Sequence, residues 1–423
     1  MKSILKSLPK NEKVALAFSG GLDTRTAVAW MAENDVEVYC YTADLAQPDE
    51  DNIEEIPKIA SYYRAKKAIL IDCKEEIAQE GIIAIQCGAF HIISGGLKYY
   101  NTTPLGRAVT TKAIIQQMKK DNVKIFGDGS TYRGNDIQRF FRYAKLFYPE
   151  IRIYKPWLDP AFVNQFGGRK EMAEYLEKIG KPYKSSVEKA YSTDSNLLGA
   201  THEAKDLEYL DRSLKIVEPI MGVAFWKMQI EPETVEVEFR NGKPYSINGK
   251  VYHSMYELIK QANLIAGRHG LGICDMIENR VIEAKSRGIY EAPGMALLHI
   301  VYERLLQVYW NENTLDLYYS LGRKLGRLLY EGRWYDLEAV AIKEALLKIS
   351  TMISGKVTIE LEKGNNYIIL NTEAEKGNYN PEALSMEKTH SSFTEEDRIG
   401  QLEVQNLSIA NNRNLLDLLN LLK

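Results

Sequence analysis

The chain has 423 residues, 45% of them hydrophobic and 26% charged, with 13 prolines and a formal charge of −3. That length exceeds one ordinary core, so two domains and an appendage are expected. The charge balance gives no reason to expect nucleic acid or a membrane as partner. Residues 81–97, the longest uncharged run, are too short and too polar to span a bilayer. The N-terminal stretch carries Lys2, Lys6, Lys10 and Lys13 with no apolar signal-peptide core. Cys40, Cys73, Cys87 and Cys274 form no CxxC pair, which fits buried reduced thiols and a cytoplasmic protein.

From residue 13 to about 155, strand-length apolar runs alternate with helical patterns. The runs are 14–18, 36–41, 68–71, 123–126 and 151–154, and the helical segments lie near 24–33, 53–64, 75–86 and 105–120. Such alternation predicts βαβ units around a buried parallel sheet, whose ligands bind at the C-terminal strand ends. Three of those ends carry polar residues: Ser19-Gly20-Gly21, Thr42-Ala43-Asp44 and Gly127 to Thr131.

A second region of α+β character begins between 160 and 190. Residues 191–196 turn polar and read as a loop. Val235, Val237 and Phe239 alternate with charged residues ahead of an Asn241-Gly242 turn. Val357, Ile359 and Leu361 do the same ahead of Gly364-Asn365-Asn366 and the run Tyr367 to Leu370. Residues 255–350 between these hairpins read as helices, so Glu278 and Tyr290 are expected on a polar helical stretch. From Asn414 to Lys423, Leu415, Leu418, Leu419 and Leu422 share one helical face that needs a partner, in its own subunit or another. The expected division is 1–175, a nucleotide-binding domain; 176–405, a synthetase domain; and 406–423, a C-terminal strand or helix that joins subunits.

The sharpest motif is Ala17-Phe18-Ser19-Gly20-Gly21-Leu22-Asp23-Thr24-Arg25. A strand, a glycine turn and a helix start bring unpaired N–H groups and the positive helix end to one point, which suits a phosphate. No Gly-x-x-x-x-Gly-Lys-Ser/Thr occurs, and Gly270-Leu271-Gly272 follows no strand, so neither a P-loop nor a dinucleotide fingerprint is supported. The loop instead resembles the Ser-Gly-Gly-x-Asp-Ser/Thr loop of the PP-loop ATP pyrophosphatases, which cleave ATP between its α- and β-phosphates.

Further motifs narrow the resemblance. Tyr41-Thr42-Ala43, Gln47-Pro48-Asp49-Glu50, Gly127 to Asp136, Ala190 to Asn196, Gly199 to Ala204, Gly267-Arg268-His269-Gly270 and Ile277 to Glu291 are similar, in order, to argininosuccinate synthase of the longer bacterial type. The resemblance implies an α/β fold with a parallel-sheet PP-loop domain, an α+β synthetase domain and a C-terminal oligomerisation helix. It also implies a carbon–nitrogen ligase that joins citrulline to aspartate with ATP and Mg²⁺, through a citrullyl-adenylate, as a homotetramer. By the same resemblance Ala17, Phe18, Ser19, Gly20, Gly21, Leu22, Asp23, Thr24, Arg25, Ala43, Gly129, Thr131, Asp136 and Asp194 hold ATP. Thr131, Asn135 and Asp136 match its aspartate site. Tyr99, Asn135, Arg139, Ser192, Thr201, Glu203, Glu278 and Tyr290 match its citrulline site. Asp23, Asp136 and Arg139 are the candidate catalytic residues, and no metal ligands are assigned.

The chemistry of these residue types agrees. Both amino-acid substrates are zwitterions, so Arg139 suits a carboxylate, and Glu203 and Glu278 suit an ammonium. No general base stands out; alignment and charge stabilisation supply most of the acceleration. Taken singly, Arg139 reads as a surface ion-pair residue and Glu278 and Tyr290 as structural. His91, His202 and His269 read as hydrogen-bonding scaffold, since no His/Cys pair has metal-ligand spacing. Three departures stand out: Arg25 where the family usually has serine, Asp44 where asparagine is frequent, and Ala46 where glycine is usual. Two other readings remain open, another adenylating PP-loop enzyme and a nucleotide-binding homologue that has lost turnover.

Overall fold

Strands β1 (Ile4–Leu5) and β2 (Lys13–Ala17) precede helix α1 (Leu22–Glu33), followed by β3 (Glu37–Asp44), α2 (Ile56–Tyr62), β4 (Lys67–Asp72) and α3 (Lys74–Gln86). A small hairpin, β5 (Ile93–Ser94) and β6 (Leu97–Lys98), leads into α4 (Thr102–Lys120), β7 (Ile125–Asp128), α5 (Asp136–Phe147), β8 (Arg152–Tyr154), α6 (Pro160–Gln165) and α7 (Arg169–Lys178). This computed structural model describes residues 3–183, 190–374, 377–381 and 393–419. The first sheet has the order β1-β8-β7-β2-β3-β4, and its strands pair in parallel. Val14, Ala15 and Leu16 of β2 are fully buried, as a strand covered on both faces requires. From β2 the chain runs outward through β3 and β4, then crosses to β7 on the other side. The topological switch point therefore lies at the C-terminal ends of β2 and β7, the crevice where such sheets bind ligands.

The second region continues with β9 (Ser192–Asn196), β10 (Gly199–Glu203), β11 (Glu233–Arg240), β12 (Lys243–Ile247), β13 (Lys250–Val251), α8 (Met255–Gly267), β14 (Ile273–Asn279) and β15 (Lys285–Glu291). Helices α9 (Pro293–Tyr309), α10 (Glu312–Tyr330) and α11 (Leu337–Ser350) and strands β16 (Gly355–Leu361) and β17 (Tyr367–Ala374) complete it. Two antiparallel sheets result, β14-β15-β10-β9 and β13-β12-β11-β16-β17. Both expected hairpins form. Val237 lies opposite Val357 and Val235 opposite Ile359, all buried. Asn241 and Gly242 turn the first hairpin with φ of 50° and 77°, and a Cβ on Gly242 would meet the Ser350 carbonyl oxygen at 2.5 Å.

Three expectations need correction. Residues 192–196 form strand β9, not a loop; their polarity comes from facing other polar side chains, as Asp194 and Ser195 show below. Glu278 and Tyr290 stand on adjacent antiparallel strands, not on a helix, with Glu278 opposite Ser286 and Tyr290 opposite Cys274. Their spacing of twelve is spent on a hairpin. Thr42-Ala43-Asp44 lies within β3 and not after it.

Residues 1–375 form one compact unit and 376–423 a second. In the latter, α12 (Glu395–Leu418) starts well ahead of the expected 406, at a capping box in which Thr394 and Asp397 bond reciprocally. Ile399, Val404, Leu407, Leu415, Leu418 and Leu419 of this unit are all exposed, and Leu422 lies outside the described residues. Among the described residues no helix is long and apolar enough to cross a membrane.

Candidate active site

The loop after β2 is shaped by its own hydroxyls. Phe18 donates its N–H to the Tyr41 carbonyl at 3.0 Å, and Thr42 donates to the Phe18 carbonyl at 2.7 Å, so the loop is tied to β3. Gly20 takes φ 76°, a left-handed turn that glycine adopts without strain. Gly21 caps α1 with no side-chain partner, which leaves the first N–H groups of the helix for a ligand. Thr24 donates to the Gly21 carbonyl at 3.1 Å, with Ser19 Oγ 3.5 Å from its hydroxyl. Arg25 bends back: its Nε donates to the Gly20 carbonyl, and its guanidinium lies over Tyr63 and Tyr183 at 5.6 and 5.0 Å. Asp23 turns toward Trp157, with Arg169 nearby; burial raises its carboxyl above the ordinary value.

Across the switch point, β7 delivers Gly129 against this loop, where a Cβ would meet Thr24 Cγ2 at 3.0 Å. Beneath it Lys155 and Asp128 form an ion pair, each 1% exposed, and Asp128 also accepts the Ser130 N–H at 3.0 Å. Thr131 stands exposed at the mouth. On the β3 side, Asp44 pairs with Lys74 at 2.6 Å and accepts the Ala46 N–H at 2.9 Å. Ala46 takes φ 55°, so its departure from glycine falls where a Cβ is strained. Gln47 wraps the turn, donating to the Ala43 carbonyl at 2.9 Å.

The remaining candidates gather around the start of α4 and sheet β14-β15-β10-β9. Asn101, fully buried at φ 52°, donates its amide to the carbonyls of Ala89 and Gly326 at 2.9 and 3.2 Å, and so fixes where α4 begins. Tyr99, just before it, stacks on Tyr290 with ring centroids 4.0 Å apart. Thr103 donates to Asp194 at 2.9 Å and lies 3.1 Å from the Thr201 hydroxyl. One turn on, Arg107 donates to Asp136 at 2.9 Å and to Asp194 at 2.8 Å. Arg139 donates to the other oxygen of Asp136 at 2.9 Å and to the Tyr330 carbonyl at 2.8 Å. Burial works to raise the Asp136 carboxyl; Arg107 and Arg139 outweigh it and hold that carboxyl below its ordinary value.

Glu278, 6% exposed, accepts hydroxyls from Tyr330 at 2.7 Å, Tyr290 at 2.9 Å and Ser286 at 3.3 Å. Asn135 donates to the Tyr330 hydroxyl at 2.9 Å and accepts the Val281 N–H at 2.9 Å. Ser192 and Glu203 face each other in register at the open end of β9 and β10. Glu203 reaches solvent there. The protein around it and then the charges of Glu278 and Asp136 nevertheless push its carboxyl up to about 7. An open cavity of about 620 Å³ beside Glu278 is lined by His91, Ile277, Arg323 and Arg327 among others.

The expected residues thus fall into two groups, the glycine loop with Gly129 against Thr24 and a cluster around Asp136, Asp194 and Glu278. No side-chain contact ties Asp23, Thr131, Ser192 or Glu203 to the others. Arg107, Thr103 and Tyr330 are participants the sequence reading missed. Arg107 follows Thr103 by four positions at a helix start that also carries Asn101, a polar face at helical spacing in an otherwise apolar segment. His202, between Thr193 at 3.0 Å and buried Glu291 at 2.7 Å, is scaffold, as expected.

A glycine loop at the switch point of a parallel sheet, opening onto an uncapped helix start, defines a nucleotide-binding domain of the PP-loop class. Residues 13–182 match the model of the arginosuccinate synthase N-terminal HUP domain, and residues 191–412 that of the arginosuccinate synthase C-terminal domain. The chain belongs to the argininosuccinate synthase family, ligases of arginine biosynthesis that use ATP, citrulline and aspartate. A solved structure described as a predicted subunit of tRNA methyltransferase from Methanocaldococcus jannaschii is similar over 40% of this chain and 89% of its own. The identity there is 13% and the TM-score 0.24, a likeness that carries nothing about activity.

Proposed function

We propose that this chain is itself an argininosuccinate synthase, converting ATP, citrulline and aspartate to argininosuccinate, AMP and pyrophosphate. The observation that carries the reading is the junction just described. Gly129 packs on Thr24 at the phosphate loop, and a few residues on, Asp136 is bridged by Arg107 to Asp194 and by Arg139 to Tyr330.

The residues from Ala17 to Arg25, with Ala43, Gly129, Thr131, Asp136 and Asp194, hold the nucleotide. The citrulline ureido oxygen attacks the α-phosphorus, the bond to the β-phosphate oxygen breaks, and pyrophosphate leaves into the unpaired N–H groups at the start of α1. The aspartate amine, as its free base, then attacks the ureido carbon of the citrullyl-adenylate, and AMP departs with the bonding electrons. Thr131, Asn135 and Asp136 position aspartate. Arg139 offers its remaining Nη to the citrulline carboxylate, Glu203 and Glu278 accept its ammonium, and Tyr99, Asn135, Ser192, Thr201 and Tyr290 line its site. Among the described residues no group of three or more His, Cys, Asp or Glu is disposed to hold a metal ion. Mg²⁺ carried in with the triphosphate would neutralise charge on the departing pyrophosphate. The site works by alignment.

The test supplies ATP, Mg²⁺, citrulline and aspartate and measures pyrophosphate and argininosuccinate. Equal amounts of both, dependent on each amino acid, are expected. Pyrophosphate that forms without citrulline would indicate another adenylating enzyme, and none at all a binding protein; either overturns the reading.

A further inference from the structure

Arg107 lies outside every set of residues named for ATP, citrulline or aspartate. It sits in the second turn of α4 with its side chain 20% exposed, one helical turn beyond Thr103, so both point the same way. Its Nε donates to Asp136 Oδ2 at 2.9 Å and its Nη2 to Asp194 Oδ2 at 2.8 Å. Asp136 opens α5 beside the parallel sheet, and Asp194 stands on β9 of the antiparallel sheet, so one guanidinium spans the two halves of the site. The Phe140 ring, 5.7 Å from Arg107 Cζ, supports the group from one side.

We propose that Arg107 is a positioning residue for the reaction, setting the separation of the Asp136 and Asp194 carboxylates and hence the gap in which nucleotide and acceptor meet. The planar guanidinium suits this task because its donors diverge at fixed angles, whereas a lysine ammonium is a point charge on a flexible stem. The inference rests on the functional reading above. Asp136 meets Arg107 from α4 and Arg139 from α5, Asp194 on β9 shares the Arg107 guanidinium, and the Asp136 charge reaches Glu203 on β10. Taking Arg107 away leaves two carboxylates with one cation, Arg139, which touches Asp136 alone.

The test compares the wild type with Arg107→Lys and Arg107→Gln. Arg107→Gln should lower kcat by about 100-fold, the cost of a misplacement near 1 Å. Its KM for ATP should rise only severalfold, since Asp136 and Asp194 shift while the phosphate loop is untouched. Arg107→Lys should recover only part of kcat. Melting temperature supplies a readout without turnover. The Arg107→Gln deficit should shrink from about pH 7 to about pH 5, because the carboxylate stripped of its cation takes up a proton more readily folded than unfolded. A deficit equal at both pH values together with kcat within about threefold of wild type would overturn the proposal. So would an Arg107→Lys variant identical to wild type, which also decides the matter where Arg107→Gln fails to fold. A wild type that makes no argininosuccinate defeats the functional reading instead, and the melting comparison alone then decides whether Arg107 clamps the two carboxylates.

Discussion

Tyr330 donates its hydroxyl to Glu278 at 2.7 Å from a helix 52 positions further along the chain. The same hydroxyl accepts the Asn135 amide at 2.9 Å, so it relays position from the start of α5 to the carboxylate on β14. A hydrogen bond to a charged group contributes about 1.5–3 kcal/mol. Tyr330→Phe should raise the KM for citrulline roughly tenfold or more with kcat little changed. Steady-state kinetics decide; an unchanged KM would mean the contact serves packing alone.

Glu203 should give the proposed reaction an acid limb. Its carboxyl, pushed up to about 7, is charged above that pH and able to accept the citrulline ammonium; below it the group is neutral and that interaction fades. The kcat/KM for citrulline should therefore fall as pH drops through about 7. Glu203→Gln should give a low value with that limb gone. A limb that persists in the variant would assign it to another group.

Arg25 stands where serine is usual in the family, yet it is bound into the loop through the Gly20 carbonyl and two tyrosine rings. Arg25→Ser removes a charged donor worth about 1.5–3 kcal/mol of loop order. The KM for ATP should rise severalfold without a gain in kcat. A large gain in kcat would show that the natural residue impairs turnover.

The Lys155–Asp128 pair lies in the core directly under the Gly129 turn. Lys155→Met strands a buried carboxylate, at a cost of about 3–5 kcal/mol in urea unfolding. The double variant Lys155→Met with Asp128→Leu should recover most of that stability but not ATP affinity, because the Ser130 N–H loses its acceptor. Full recovery of both would show that the pair matters only to stability.

Helix α12 exposes Ile399, Val404, Leu407 and Leu415 along its length. An apolar surface of that kind requires a partner, and we propose that it joins subunits in a homotetramer. Truncation after residue 392 should lower the number of subunits per particle, taken from light scattering as particle mass over chain mass. An unchanged subunit number would sink the assignment.

The parallel sheet was readable because β2, β3 and β7 are largely buried and carry apolar runs, while the edge strand β4, only partly buried, still reads as the apolar run Ala68 to Ile71. The hairpins around Gly242 and Gly364 were readable from alternation and turn chemistry. Strand β9 was not, because Asp194 and Ser195 spend their polarity on Arg107, Thr103 and Asp49, and a strand facing a polar site imitates a loop. Glu278 and Tyr290 were misplaced because the Gly288 segment carries little apolar periodicity. Arg107 and Tyr330 escaped notice because neither belongs to a local motif; their partners are 87 and 52 positions away.

Asn101 ties the start of α4 to the Gly326 carbonyl, 225 positions onward. During synthesis at about 5–20 residues per second, roughly 10–45 s separate the emergence of these two groups. Until α10 has been made, the start of α4 that carries Tyr99, Thr103 and Arg107 is held by the Ala89 carbonyl without its second anchor. The phosphate loop, whose contacts lie within the first 183 positions, has no such wait. On the proposed function, the nascent chain should therefore complete its nucleotide loop before its acceptor site, and ATP should be the first ligand it meets.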